Sequence, residues 1–464
     1  MALIKKIQEK VKKSGVPTSP KGMHDILSDR YFIYRGFFEK AAEIALYYGF
    51  KPIETPILEK EEVFTSGVGK DTDIVGKEMY SFSTKGRDRL ALRPEGTAGV
   101  MRAYLEHGMH SLTQPVMLYY EGPFFRHEKP QQGRLREFWQ FGFEVLGAEQ
   151  SIMDALVIKL TYLALEEAGI KNLSVLINSV GDNHCRPHYI KELVAYYRKH
   201  INKICPHCRM RLKKNPLRLL DCKDINCKEV AQGAPQSVSF LCEACKQHFK
   251  EVFEYLEIMQ IPYRIEHTLV RGIDYYTRTV FEIVAGKMEE KIDENTKDEK
   301  ENEKEAIKTD DEKSVESVGT VLSLGGGGRY DYLARALGSR REVPGVGSAI
   351  GVERVISAPG FKAGTPRIVK KPKVYFIQIG TGAKLKSFMV IEALRKAHIP
   401  LTHAISKDKL SAQLGMAERT EIPYILILGQ KEANENSVIV RDMKTRSQET
   451  VSIEKLGEYL KERI

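Results

Sequence analysis

The stretch GPFFRHEKPQQGRLREFWQFGFEVLG, residues 122–147, constrains this chain more than any other. It belongs to two apolar-rich runs, 115–128 and 137–146, that read as long strands joined by a polar, basic loop. Strand side chains alternate between faces, so Phe124, Arg126 and Glu128 fall together on the first strand. On the second, Phe138, Gln140 and Glu144 share a face around Gly142, while Trp139, Phe141, Phe143 and Val145 line the other. The second set is a core face. The first combines arginine, carboxylates, an amide and an aromatic ring, whereas solvent faces are usually Lys, Thr and Ser. It reads as a concave polar site.

Around this pair the chain alternates between the two periodicities. Residues 28–48 have a helical apolar stripe (Phe37, Phe38, Ala41, Ile44, Ala45, Tyr48), with Ser28 as the expected N-cap and Gly49 as the stop. GFKPIETPIL (49–58) follows as an extended stretch whose prolines suit an edge or an interface. Further strands are expected at 173–178, 279–284 and 319–324, with a cysteine-bearing helical region at about 184–262. After a Pro/Gly/Lys-rich linker, residues 373–464 alternate strand and helix patterns and read as a separate α/β domain. The expected organisation is therefore α+β: 1–182 and 263–356 form one domain, 183–262 is inserted into it, 357–372 is a linker, and 373–464 closes the chain.

The formal charge is +10, yet residues 287–316 carry thirteen acids and seven lysines, which leaves the remainder at +16. Such an excess favours a polyanionic partner. The acidic run 287–318, nearly free of aromatic residues, reads as a solvated insertion. Residues 5–13, with five lysines, form a basic helix or arm. No run is long and apolar enough for a membrane span or the core of a signal peptide, so a cytoplasmic protein is expected.

The face carrying F-R-x-E, a basic loop and F-x-Q resembles motif 2 of class II aminoacyl-tRNA synthetases. GFKPIETPIL resembles their motif 1, which builds a dimer interface, and GVGSAIGVERV (345–355) resembles motif 3, with Arg354 as its ATP-contacting arginine. LRPEGTAG (92–99), LVRGIDYYTRTVFE (269–282) and GGGGRYDYL (325–333) resemble segments of histidyl-tRNA synthetases. Six motifs in the family's order cover nearly the whole chain. The resemblance implies an antiparallel-sheet catalytic domain with a helical insertion, a C-terminal anticodon-binding domain, a homodimer, and partners L-histidine, ATP with Mg2+, and tRNA(His).

It also implies roles. Arg126 would hold the α-phosphate, and Arg271 would bring the histidine carboxylate to it. Arg134 and Arg354 would grip the outer phosphates, Phe138 would stack on adenine, and Glu128 would hold its amino group. Glu95, Thr97, Gln140 and Glu144 would meet the ammonium and imidazole of histidine, with Tyr275 and Tyr276 walling the ring. Arginine suits such work because its planar fork grips phosphate or carboxylate bidentately without losing charge. Read without the family, Arg271 and Asp274 are an ion pair and the tyrosines are core. Lys129 stands where many relatives carry arginine, and Trp139 where histidine is common.

Seven cysteines include two C-x-x-C knuckles, CPHC (205–208) and CEAC (242–245), with Cys222 and Cys227 between them. In a chain without export features this spacing favours metal over disulfides. The expected ligand set is Cys205, Cys208, Cys242 and Cys245 around a structural zinc ion, with Cys222 and Cys227 as substitutes; the alternative is reduced, half-buried thiols. SGVGKD (66–71) lacks the first glycine and the Ser/Thr of a P-loop. The competing functional readings are the non-catalytic synthetase-like subunit of ATP phosphoribosyltransferase and a histidine- or tRNA-sensing module.

Overall fold

The computed structural model describes residues 17–69, 72–131, 133–286, 322–407, 409–420 and 422–464. The basic arm at 5–13 and the charged run at 287–318 lie outside them. The chain divides into two compact units, residues 1–366 and 367–464, a boundary that falls within the 357–372 stretch.

Eleven strands belong to the first unit among the described residues. They are β1 (Lys51–Pro52), β2 (Leu58–Lys60), β3 (Ser81–Ser83), β4 (Arg89–Leu92), β5 (Val116–Phe125), β6 (Glu137–Leu146), β7 (Leu173–Ser179), β8 (Tyr263–Ile265), β9 (Thr277–Ala285), β10 (Leu322–Arg329) and β11 (Gly345–Gly351). Eight of them form one sheet in the order β1-β5-β6-β11-β10-β9-β7-β8. Its six central strands are antiparallel, and a parallel strand closes each edge. The stretch 49–58 does not run as one strand. Its first part pairs with β5 at the sheet edge, whereas β2 joins a separate sheet ordered β2-β4-β3. Pro52 is tolerated in β1 because that strand is a sheet edge, while Pro56, with no N–H to donate, lies in the unpaired stretch between β1 and β2.

The alternation in β6 sorts its residues as expected. Phe141, Phe143 and Val145 are wholly buried in a core with the helices Ser28–Tyr47 and Ser151–Glu167. The first helix contributes Tyr34, Phe37, Phe38, Ala41, Ile44 and Ala45, a stripe at i, i+3, i+4 spacing. Each such phenylalanine stabilises by about 1.5–3 kcal/mol relative to exposure. Ser28 is the first residue of this helix and makes no cap; Leu27 occupies the N-cap position without a side-chain bond. The helix ends at Tyr47 with Tyr48 as its C-cap, and Gly49 takes φ +84°, turning the chain so that the Phe50 N–H reaches Ala45 O at 2.9 Å.

Between β7 and β8 the chain runs through helices Arg186–Lys199, Pro206–Lys214, Ile225–Gln232 and Glu243–Ile258, which contain the cysteines other than Cys185 or flank them. The second unit is a five-stranded sheet: β12 (Val374–Gln378), β13 (Leu401–His403), β14 (Tyr424–Leu428), β15 (Ser437–Asp442) and β16 (Gln448–Ser452), ordered β13-β12-β14-β15-β16. Helices Thr381–Lys396 and Leu410–Glu418 make the crossovers between its parallel strands. The hairpin strand β16 was not expected from the sequence, because its QETVS pattern is too polar to announce a strand.

Candidate active site

The polar face of β5 and β6 is set by register. Gly122 lies opposite Gln140, Tyr120 opposite Gly142, and Leu118 opposite Glu144; on the other side of β6, Gly347 of β11 lies opposite Glu144. Glu144 is fully buried. Thr97 Oγ1 donates to its Oε1 at 2.6 Å, and the Tyr330 hydroxyl donates to its Oε2. Burial pushes its carboxyl up to about 8, against the pull of those two donors. Glu95 accepts the backbone N–H groups of Thr97 and Ala98 at 2.8 and 2.9 Å, at the start of the helix Thr97–Glu106. The Tyr275 hydroxyl donates to it at 3.2 Å. Its pKa is also raised, again chiefly by burial. Gln140 Oε1 is buried on the same face and has no hydrogen-bond partner, an acceptor left for something from outside.

Room for this pocket comes from missing side chains. A Cβ on Gly142 would stand 2.2 Å from Tyr120 Cζ, one on Gly96 2.3 Å from the same atom, and one on Gly347 1.7 Å from Glu144 Oε2. The glycine run of β10 does the same for the next strand. A Cβ on Gly326 would meet Arg271 Nη1 at 2.8 Å, and one on Gly328 would meet Tyr276 Cδ1 at 2.9 Å. The rings of Tyr275 and Tyr276 lie tilted at 57° to each other with centroids 4.7 Å apart, and Tyr330 closes on Tyr275 edge-on at 5.7 Å. Arg271 pairs with Glu282 of β9.

Beside the carboxylates lies a cluster of cations. Arg126 donates from Nε to Pro94 O at 2.9 Å, and its guanidinium carbon sits 5.2 Å from the centre of the Phe138 ring. Arg134 pairs with Glu128 at 3.1 Å. Arg354 donates to Gly133 O at 3.1 Å and Ser323 O at 3.0 Å, which fixes it from both sides. Burial lowers the Arg354 pKa, the charges of Arg134 and Arg126 lower it further, and Glu282 and Glu128 oppose them. Three guanidiniums within electrostatic reach of one another, beside a partly exposed aromatic ring, form a site for a polyanion with a flat apolar portion.

Comparison with known proteins identifies the family. Residues 22–294 match the histidyl-tRNA synthetase family, and residues 373–463 match the anticodon binding domain. The chain is 39% identical to a histidine–tRNA ligase of Dehalococcoides mccartyi, over 96% of this chain and 99% of that one. It is 37% identical to one from Desulforamulus reducens over the same shares. The apo histidyl-tRNA synthetase of S. aureus superposes with a TM-score of 0.74 at 30% identity, covering 96% of this chain and all of that one. The chain belongs to the histidyl-tRNA synthetase family.

The cysteines correct the expectation. The structure does not bring Cys205, Cys208, Cys242 and Cys245 together. Cys205 and Cys208 group with Cys222 and Cys227, whereas Cys242 and Cys245 group with Asp182 and Cys185. The helix Glu243–Ile258 packs Cys245 into the main core, away from the first knuckle.

Tyr120, Tyr330 and Glu282 lie against the candidate site residues Gly142, Glu144 and Arg271, and sequence reasoning left them unassigned. Tyr120 was accessible to it, since it shares parity with Phe124 and Arg126 along β5. Tyr330 stands in the quoted GGGGRYDYL, and nothing local marks it as a partner of Glu144. Trp139 packs on the core side against Phe38 at 5.7 Å, while its backbone N–H donates to Glu353 at 3.0 Å. A separate open groove between the helices Glu61–Gly67 and Thr97–Glu106 and the loop 338–344 is lined by none of the residues assigned to histidine or ATP.

Proposed function

We propose that this face binds histidine and ATP side by side, and that the chain ligates L-histidine to tRNA(His) through a histidyl-adenylate, releasing pyrophosphate and then AMP. The observation that carries the reading is the placing of Glu95, Glu144 and the unpartnered Gln140 Oε1 under Tyr275 and Tyr276, next to three clustered arginines. An ammonium and an imidazole need acceptors of that kind. Leaving them unpaired is what makes such a pocket reject analogues.

In the first step the histidine carboxylate attacks the α-phosphorus and pyrophosphate leaves. The work is positioning and charge neutralisation. Arg126 holds the α-phosphate, and Arg271, steered by Glu282, brings carboxylate and phosphate together. Arg134 and Arg354 take the outer phosphates, Phe138 receives the adenine ring, and Glu128 its amino group. Mg2+ fits here as a companion of the triphosphate, neutralising its charge. Glu128 and Glu282 are each engaged by an arginine, so phosphate oxygens would hold most of its coordination sphere.

Dimerisation through the 49–58 stretch is part of this reading. β1 is a sheet edge, and Ile57, Leu58, Leu46 and Tyr47 are exposed around it. The second unit would take the anticodon, with Arg441 on β15. No helix among the described residues is long and apolar enough to cross a membrane, and we place the protein in the cytoplasm, with the tRNA pool.

Histidine-dependent ATP–pyrophosphate exchange tests the proposal, with the other amino acids and Arg271→Ala as controls. Exchange with histidine alone, falling roughly 10²–10³-fold in the variant, is expected. A folded, Mg2+-supplied protein without exchange would favour the regulatory-subunit reading instead. A structure described as an ATP phosphoribosyltransferase regulatory subunit/histidyl-tRNA synthetase, from Bacillus halodurans, shares the fold at 20% identity. The retained Arg126, Arg271, Arg354 and second unit speak for the enzyme.

A further inference from the structure

Four thiols converge where the helix Pro206–Lys214 begins. The Sγ atoms of Cys205, Cys208, Cys222 and Cys227 all lie within 4.8 Å of one another, and Cys205 and Cys222 stand 4.0 Å apart. Sulfurs bonded at about 2.3 Å to a tetrahedral zinc ion are separated by about 3.8 Å, whereas a disulfide needs about 2.05 Å. All four are free thiols. The backbone around them already faces sulfur as thiolate ligands require. The Cys208 N–H donates to Cys205 Sγ at 3.4 Å, and the Cys205 N–H donates to Cys227 Sγ at 3.2 Å. Asp224 caps the next helix through the Cys227 N–H at 3.1 Å, which fixes the fourth sulfur.

A tetrathiolate zinc site carries a net charge of −2 once four protons have left. Residues 209–228 supply the balance, with seven Lys or Arg against two Asp. The other group, Asp182, Cys185, Cys242 and Cys245, is differently disposed. There the Cys185 thiol donates to Asp182 Oδ1 at 3.5 Å, and Asp182 also pairs with Arg278 at 3.6 Å. That carboxylate is committed to protein partners.

The segment enclosed by the first knuckle reaches the candidate active site. Asn215 Nδ2 donates to Asp274 Oδ1 at 2.5 Å, inside the loop that carries Arg271, Tyr275 and Tyr276. Arg211 and Arg218 both pair with Asp73, and Arg218 lies 3.5 Å from where a Cβ on Gly272 would stand. Within this segment the helix Pro206–Lys214 is nine residues long, strongly basic, and buries only Cys208 and Leu212, while Leu219 and Leu220 of the following turn are buried in the same core as Tyr275 and Tyr276.

We propose that Cys205, Cys208, Cys222 and Cys227 bind one structural zinc ion per chain, which fixes residues 206–221 against the loop 271–276 and so makes Asn215 a positioning residue for the histidine pocket. The zinc half stands on the thiol geometry alone; the positioning half rests on the functional reading above.

The test uses the full chain. Zinc is measured by elemental analysis after a chelator wash, and the metal is then exchanged for Co2+, whose absorption reports tetrahedral thiolate coordination. One tightly held zinc per chain, an intense thiolate-to-cobalt band, at least a tenfold loss of metal in Cys222→Ser, and full retention in Cys242→Ser are expected. Metal-free wild-type protein that takes up neither ion overturns the site, as does retention in Cys222→Ser with loss in Cys242→Ser. Should Cys222→Ser not fold, zinc released from wild-type protein by stepwise thiol modification supplies the same answer; no release overturns the site. Asn215→Ala, with zinc retained, is expected to raise the KM for histidine severalfold and leave the KM for ATP unchanged. An unchanged histidine KM overturns the positioning role. Wild-type protein with zinc bound and no exchange activity would instead refute the functional reading, leaving the metal site intact.

Discussion

Tyr330, on the loop after β10, donates its hydroxyl to Glu144 of β6 in the interior of the sheet's polar side. Burial raises Glu144 from the ordinary 4.5 to about 8. The folded chain therefore keeps a proton that the unfolded chain releases near pH 4.5. That contribution to stability is fully present below pH 4.5 and is lost as pH rises to about 8.

Glu144→Gln imitates the protonated form at every pH. Urea unfolding at pH 5, 7 and 9 should show the variant gaining on the wild type as pH rises, by an amount on the order of a few kcal/mol. Histidine binding should weaken as well, since the amide cannot ionise to meet a cationic ligand as the carboxyl can. Parallel stability curves would mean that the buried carboxyl relaxes into solvent as it ionises.

Arg329 is predicted to be the costliest single ion to remove. It is wholly buried, with Nε on Asp154 at 2.9 Å, Nη1 on Asp331 at 3.0 Å and Nη2 on Ala148 O at 2.8 Å. His248 Nε2 lies 3.1 Å from the other Asp154 oxygen. Burial alone would raise Asp154, but Arg329 and His248 outweigh it and hold the carboxyl below its usual range. Arg329→Met strands that carboxylate and should cost about 3–5 kcal/mol in denaturant unfolding. Adding Asp154→Leu should recover part of the loss, because the stranded charge goes with it. A single-variant cost below about 1 kcal/mol would contradict the network.

How far such features could be read from the sequence depends on whether they are local. The β5–β6 pair was legible because alternation over ten residues admits one register of core and site faces, and β6 came out at 137–146 as read. The glycines of 325–328 were legible as a motif, but their reason was not: a Cβ on Gly326 or Gly328 would meet the β9 carbonyls of Phe281 or Thr279 at 2.5 Å and then Arg271 or Tyr276, all of them far earlier in the chain. The cysteine set failed for a related cause. Each C-x-x-C presents the same two sulfurs to any partner, and only the path of the helices decides between Cys222 with Cys227 and Cys242 with Cys245. Arg329 had no role assigned from the sequence, because nothing in its neighbourhood names Asp154 as its counter-ion.

Gly142→Ala tests the close approach beneath the pocket. The added methyl would lie 2.2 Å from Tyr120 Cζ, so ring or strand must move. Overpacking of this kind costs about 1–3 kcal/mol, and the displaced ring would narrow the space beside Gln140. Thermal unfolding should drop and the histidine KM should rise. Tyr120→Leu in the same chain removes the colliding ring and should restore part of the stability. No recovery would place the strain in the backbone of β6 instead.

Arg354→Lys separates a phosphate grip from a loop anchor. Two carbonyls, Gly133 O and Ser323 O, hold different nitrogens of one guanidinium. A lysine ammonium can keep the charge but cannot span both at arginine's geometry. If the fork is aimed at the outer phosphates, its loss removes a charge-assisted contact of about 1.5–3 kcal/mol. Pyrophosphate exchange should then show a KM for ATP raised roughly tenfold or more, at about 1.4 kcal/mol per tenfold, with the KM for histidine unchanged. If both constants shift together, Arg354 acts by holding the 126–136 loop to β10, and the triphosphate must be gripped mainly by Arg134. If neither shifts, the lysine has found the same partners, and the guanidinium plane is not what the site uses.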